Sequence, residues 1–472
     1  MKREWSPIAL GALSAAGYAV ALRLAGESGF PLDDAWIHQT YARNLGWHGQ
    51  WAFILGQPSA GSTSPLWTAM LAIGYTLRID YELWAMALNA LLLGATAWLM
   101  YRVSGQWWAG ALAAVEWHLV WAAASGMETI LFCALAMGAW ALTPGPSPKR
   151  RGEFLCGVLI GLAVWARPDG LTLLPFCAWA VWAAAADGTL RLKRLGGLAG
   201  GAAFILIPYF IFNVALSGQV WPNTFFAKQA EYAILRELPL WQRVWQIFSA
   251  PLIGSLALLA PGVALGARGR WPQLAWVGAF LAAYALRLPV TYQHGRYLIP
   301  VIPMLIAIGG AGLAKWARWN VSVMWRRVVS RAWVMSVGAA AAAFWGLGAN
   351  ALVSDVRVIN NEMVAVAKWI ASHAGSDTLV AAHDIGALGY FADVRLMDLA
   401  GLVSPEMIPL MGDDSRLWDF IREGKPTYVI TYPGWCPEFT RQPDLKPQFQ
   451  TGALCDPANP NLNMTVYLLE RH

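Results

Sequence analysis

Apolar runs separated by short polar breaks fill roughly the first three quarters of this chain. They lie at about 7–25, 82–101, 107–123, 128–143, 153–166, 171–187, 196–215, 247–266, 272–287, 297–314 and 332–350. A helix that crosses a bilayer needs about 20 mostly apolar residues, so the pattern predicts about eleven crossings. The stretch 65–77 is shorter and reads as a juxtamembrane helix on the outer face. From about residue 352 the pattern changes to that of a small α/β unit. Helices are expected at 361–372 and 405–423, and strands at 378–382, 394–398, 427–432 and 464–469. The expected fold class is therefore an α-helical polytopic membrane protein with a small C-terminal α/β extracytoplasmic domain. The division is 1–351 and 352–472, with a long first external loop at 26–81.

Composition agrees. Of 472 residues, 57% are hydrophobic and only 13% charged, against about 25% charged in soluble domains. Mean hydropathy is +0.43. The 28 tryptophans suit the headgroup level of a membrane. The net charge of +6 does not indicate nucleic acid, because no basic face with interleaved aromatics is present.

The basic residues fall between apolar runs, at Lys2/Arg3, Arg102, Lys149 to Arg151, Arg191 to Arg194, Arg268/Arg270 and Lys315 to Arg331. Eleven crossings put all of these clusters on one side, which the positive-inside rule makes cytoplasmic. The N-terminus is then cytoplasmic and the tail external. Met1-Lys2-Arg3-Glu4 before an apolar run looks like a signal peptide, but no small-residue cleavage site follows. A retained first span is expected. The segment 143–153 reads as a Pro/Gly/basic cytoplasmic insertion. Cys133, Cys156 and Cys177 lie in apolar runs as small hydrophobes, while Cys436 and Cys455 can pair if the tail is external.

The polar candidates gather in the external loops. Asp33 and Asp34 follow the first span, where adjacent carboxylates are costly without water, a cation or a substrate. A helix N-cap at the start of 34–46 explains one Asp but not the second. The alternatives are a carboxylate that takes a proton from a hydroxyl, or a pair that holds a hard divalent cation (Mg or Mn). Tyr41, Arg43 and Asn44 read as helix packing, and Gly61-Ser-Thr-Ser-Pro-Leu-Trp67 as a Ser/Thr cap before a Pro-led helix. Glu128 is either a first-turn acid or a second acid facing Asp33 and Asp34. Arg167 and Asp169 read as an interfacial ion pair. Lys228 and Arg296 stand against the orientation bias, suiting a phosphate or snorkelling towards headgroups. His294 is structural or assists the phosphate. Glu116 and His118, inside an apolar run, read as polar packing between helices. Phosphate-loop, His-Glu-x2-His and Cys-x2-Cys motifs are absent, so an external enzyme would need an activated donor delivered in the lipid phase.

The ordered set of motifs resembles the GT-C superfamily of polyprenyl-phosphate-sugar-dependent glycosyltransferases, and within it bacterial arabinofuranosyltransferase- and mannosyltransferase-like members. The residues that carry the resemblance are Asp33-Asp34-Ala-Trp-Ile, Tyr41-Ala-Arg-Asn44, Gly61 to Trp67, Ser125-Gly-Met-Glu-Thr129 and Arg167-Pro-Asp-Gly170. Further along come Pro222-Asn-Thr-Phe-Phe-Ala-Lys228, Arg296-Tyr-Leu-Ile-Pro300, Asp384-Ile-Gly-Ala-Leu-Gly-Tyr390 and Asp398-Leu-Ala-Gly-Leu402. The resemblance implies a membrane enzyme of the bacterial inner membrane. It would move a sugar, arabinofuranose first and mannose or another hexose next, from a polyprenyl-phosphate donor to a glycan, lipid or protein acceptor. Asp33 or Asp34 would be the base or a metal-site acid, Glu128 a second acid, and Lys228 and Arg296 the lipid-phosphate cations. His294, Asn223, Tyr41, Asn44, Arg167 and Asp169 would contact substrate. A transporter of lipid-linked sugars is the rival. It predicts repeated halves and ionisable residues at the midplane, and no internal repeat is visible.

Overall fold

The apolar runs fold as helices in the computed structural model, which describes residues 2–143, 152–318, 323–435, 440–452 and 463–470. The basic stretch 149–151 and Cys436 and Cys455 lie outside the described residues. Among those described, five helices are long and apolar enough to cross a membrane: Trp5–Leu24, Tyr81–Ser104, Gly188–Ser217, Tyr292–Arg318 and Met324–His373. A sixth is obtained if the bent pair Leu240–Leu252 and Ser255–Gly266 is one span. Thr129–Leu142 and Glu153–Ala166, 14 residues each, are apolar but shorter than a full crossing.

Two of the expected spans are interrupted. The run 107–123 breaks into Trp107–Val115 and Trp117–Ala124, with Glu116 in extended conformation between them. Glu116 caps the second piece, its Oε2 accepting from the Leu119 amide at 3.1 Å and its Oε1 lying 2.8 Å from His118 Nδ1. Glu116 therefore works as a local cap and holds His118 beside it. The run 247–266 turns by 99° near Gly254, whose φ of 102° is open to glycine. Its first arm, Leu240–Ser249, exposes Trp241 and Trp245, the arrangement of a helix lying in a membrane interface.

The chain divides into two compact units. The first comprises Met1–Leu24, Ala85–Ile211 and Ile234–Leu352; the second comprises Ala25–Trp84, Phe212–Ala233 and Val353–His472. In the first unit, Ser255–Gly266 packs on Ile302–Arg318 through glycines. A Cβ at Gly312 would strike the Gly262 carbonyl, and one at Gly266 the Ile308 carbonyl, so the backbones approach as small-residue membrane helices do.

The second unit joins the first-loop elements to the tail. Asp33–His48 and Pro65–Thr76 are helices, with a short hairpin of β1 (Ala52–Ile54) and β2 (Gln57–Pro58) between them. Ser64 caps the second helix, accepting from the Trp67 amide at 3.4 Å, and Pro65 opens it as expected. The tail sheet has the order β4-β3-β5-β7-β6, from β3 (Leu379–Ala382), β4 (Arg395–Asp398), β5 (Tyr428–Thr431), β6 (Leu445–Gln450) and β7 (Thr465–Leu469). β3 is parallel to β4 and β5, and β7 runs antiparallel to β5 and β6. Val429, Ile421, Met407, Trp418 and Ala381 fill the core. The expected helix 405–423 is instead a 3-10 turn, Pro405–Leu410, and a helix, Asp414–Gly424, capped by Asp413.

Candidate functional site

In the tail sheet of the second unit, sheet order departs from chain order around β3 and again at β7. β3 lies between β4 and β5; the chain leaves β3 towards β4 and leaves β5 towards the β7-β6 side, so the connections from these two neighbouring strands diverge. Such a switch point opens a crevice at the strand ends, where α/β sheets bind ligands. His383 and Asp384 follow β3 directly. Asp398 ends β4, but its carboxylate accepts from the Ala400 and Val403 amides at 2.9 and 2.7 Å and so braces a turn. His383 Nδ1 lies 3.6 Å from Asp384 Oδ1, the two side chains being 25% and 18% exposed. Neither His383 Nδ1 nor Asp384 Oδ2 has a hydrogen-bond partner among the described residues.

Asp33 reaches the same turn. Its Oδ2 accepts from the Gly386 amide at 2.7 Å and its Oδ1 from the Ala387 amide at 2.8 Å. A side chain on Gly386 would collide with the Asp33 carbonyl, so glycine is required there. Arg43 adds a second clamp by donating to the Tyr390 and Gly389 carbonyls at 2.7 and 3.2 Å and lying over the Tyr390 ring. Trp36 packs on Tyr390 and Phe391. The residue at the N-cap is Leu32, with no side-chain bond, so the N-cap expectation for the acidic pair is overturned. Both acids occupy the first helical turn. Asp33 spends its two oxygens on another segment.

Electrostatics follow from this crowding. Burial, then the charges of Asp384 and Asp34, push the Asp33 carboxyl up to about 7 against the pull of the two amides. Burial disfavours the charged form of His383, but Asp384 and Glu231 outweigh it and raise its pKa. Burial would raise the Glu231 carboxyl, yet Lys228 and His383 hold it below its ordinary value. Lys228 Nζ stands 2.9 Å from Glu231 Oε2. Asp33, Asp34, Asp384, His383, Glu231 and Lys228 thus form one electrostatic series within this unit. Three residues expected to contact substrate also carry bonds of the local fold. Asn44 donates to the Ala52 and Phe53 carbonyls, Tyr41 bonds Ser59 and the Gly61 amide, and Asn223 donates to the Leu402 carbonyl.

The remaining predicted residues gather in the first unit. Arg167 is 6% exposed and forms a fork on Asp169, with Nε–Oδ1 at 3.2 Å and Nη2–Oδ2 at 2.8 Å. Tyr284 closes the triangle, accepting from Arg167 at 2.8 Å and donating to Asp169 Oδ2 at 2.5 Å. The expected Arg167–Asp169 pair is present. Glu128 takes the N-cap position of Thr129–Leu142, with Oε1 3.9 Å from Arg167 Nη1. Arg296 lies over the Tyr297 ring at 4.8 Å and donates to its hydroxyl at 3.0 Å; Tyr297 stacks on Tyr284. His294 stands edge-on to Trp117 and Trp121. Gln293, His294 and Gly295 have φ values of 53°, 61° and 64°, a left-handed turn that costs its two non-glycine residues about 1 kcal/mol or more each. A loop held this way presents His294 and Arg296 from fixed positions.

Among the described residues, no group of three or more His, Cys, Asp or Glu is disposed to hold a metal ion. Each Asp33 oxygen spends one of its two lone pairs on an amide. His383 and Asp384 are not among the site residues expected from sequence, although Asp384 opens one of the segments that carry the resemblance.

Residues 350–465 match a family described as a domain of unknown function, DUF8728. No curated protein sequence matches. Among solved structures, the chain is similar to ArnT from Cupriavidus metallidurans bound to undecaprenyl phosphate, with TM-score 0.60 and 15% identity over 96% of this chain and 97% of that one. It is also similar to the arabinofuranosyltransferase AftD from Mycobacteria, with TM-score 0.52 and 19% identity over 98% of this chain and 40% of that one. A third likeness is to the Archaeoglobus fulgidus oligosaccharyltransferase, with TM-score 0.55 and 11% identity over 91% and 69%. The chain has the GT-C fold that these structures share.

Proposed function

We propose that this GT-C chain is a multi-pass glycosyltransferase of the bacterial inner membrane that moves a sugar from a polyprenyl-phosphate donor to an acceptor hydroxyl on the outer face. The observation that carries the reading is the acid series of the second unit, where Asp33 is fixed by two amides beside Asp34 and Asp384. The likeness to ArnT bound to undecaprenyl phosphate supports a lipid-linked donor. About eleven crossings, a cytoplasmic N-terminus and an external tail remain part of this reading, supported by the one-sided basic clusters.

Asp34 is the better base of the pair, because both oxygens of Asp33 already hold the 383–391 turn. In the step proposed, Asp34 takes the proton of the acceptor hydroxyl and that oxygen attacks the anomeric carbon. The bond from that carbon to the phosphate oxygen breaks, and its electron pair leaves on the polyprenyl phosphate. Lys228, which pairs with Glu231 in the same unit as Asp34, is the proposed phosphate cation. Arg167 is better assigned to structure, since its fork is spent on Asp169. Arabinofuranose is the first donor to try and mannose the second, with a cell-envelope glycan, lipid or protein as acceptor.

The test is to incubate the purified full chain with polyprenyl-phosphate arabinose, or the mannose analogue, and a glycan acceptor. Sugar incorporated into the acceptor, with release of polyprenyl phosphate, is expected. Movement of intact lipid-linked sugar across a vesicle bilayer without transfer would replace this reading with the transporter.

A further inference from the structure

The first unit contains a cavity of about 960 Å³ that shares no lining residue with either polar cluster. It opens where the helices Tyr81–Ser104, Thr129–Leu142 and Leu173–Ala183 end and Trp271–Arg287 begins. Its charged lining consists of Arg102 and Arg270, with no acid among the described lining residues. Arg102 lies in the last turn of its helix, over the Trp98 ring at 5.5 Å. Arg270 donates to the Gly266 carbonyl at 3.2 Å, which orients its guanidinium. Trp140 is 3% exposed and lines the same space, and its indole N–H has no acceptor among the described residues. A buried indole N–H usually finds a partner.

We infer that this cavity binds an anionic phospholipid. Two guanidinium groups, of which Arg270 has one bond to a carbonyl, and an unmatched indole N–H outnumber the one unpaired side-chain acceptor of the lining, Gln273 Oε1, so an occupant with several acceptor oxygens and negative charge fits best. The rest of the lining is mostly apolar, which suits acyl chains better than a free phosphate ion. Trp179 and Trp271, 44% and 61% exposed, stand at the rim as headgroup-level rings do. Arg102 and Arg270 belong to the basic clusters that the charge pattern puts on the cytoplasmic side. Basic pockets between helices on that side recruit anionic headgroups. The polyprenyl-phosphate donor is proposed to act on the opposite side, so this is a second lipid site.

The test is native mass spectrometry of the full chain, released from micelles after incubation with phosphatidylglycerol or phosphatidylcholine of matched chains. One phosphatidylglycerol should remain bound, preferred by roughly tenfold or more. The preference should vanish in Arg102→Gln/Arg270→Gln and persist in Arg102→Lys/Arg270→Lys. Equal retention of the two lipids by the wild type, or an unchanged preference in the double Gln variant, would overturn the site. So would displacement of phosphatidylglycerol by equimolar polyprenyl phosphate, which would make the cavity a donor site. In case the Gln variant does not fold, acyl-labelled photoactivatable phosphatidylglycerol can be crosslinked to the wild type. Label should map to Trp98, Arg102 or Trp140, and label found only elsewhere refutes the inference.

Discussion

Replacing Asp33 separates anchoring from chemistry. The wild-type carboxyl accepts amide bonds of 2.7 and 2.8 Å from Gly386 and Ala387, both buried. Asp33→Asn keeps one acceptor and turns an NH2 towards the other amide, so one buried donor loses its partner at a cost of about 1–3 kcal/mol. Because about 1.4 kcal/mol is tenfold, the opening equilibrium of the turn should rise roughly 5- to 150-fold. Asp33→Ala, which removes both acceptors, should raise it further. Hydrogen–deuterium exchange of peptides covering 383–391 reads this directly, since amide exchange reports local opening. Asp34→Asn should leave exchange of these peptides near the wild-type rate. If Asp33→Asn exchanges there no faster than the wild type, the anchoring argument fails.

Removing other members of the cluster gives further expectations. With its pKa raised to about 7 in the folded state, Asp33 contributes stability that is complete below its ordinary pKa of 3.8 and lost as pH rises through about 7. Asp384→Asn removes a neighbouring charge, so the Asp33 pKa should fall. The loss of thermal stability between about pH 4 and 7 should then end at a lower pH, measured as melting temperature against pH; an unchanged profile refutes the coupling. Arg167→Lys breaks the fork on Asp169 and leaves buried charge poorly matched, at a cost on the order of 3–5 kcal/mol. Its monodisperse yield and melting temperature should drop well below those of Lys228→Arg. Gly386→Ala drives a Cβ into the Asp33 carbonyl and should speed exchange of the 383–391 peptides even with Asp33 intact.

Much of this architecture was legible because it follows local rules. Ser64-Pro65 announces a helix start, and the strand cores 379–382 and 428–431 are short apolar runs. Other features depend on tertiary placement. Glu116 breaks an apolar run that periodicity treats as one span, because its carboxylate supplies a cap that hydropathy cannot register. β6 was missed because it is an edge strand with mostly exposed side chains and a proline, Pro447. His383 and Asp384 look like an ordinary loop until the order β4-β3-β5 puts them at the switch point. The pairing of Asp33 with Gly386 spans more than 350 residues, and no local pattern encodes it. The motif Asp384 to Tyr390 was visible, but its partner was not.

The most direct measurement of the central claim is the rate of sugar transfer from polyprenyl-phosphate arabinose or mannose by Asp34→Asn against the wild type, at equal amounts of folded protein. A positioned base contributes about 10²–10⁴-fold, so the variant should lose transfer by that order while its melting temperature and 383–391 exchange stay near wild type. Full transfer by Asp34→Asn would contradict the account.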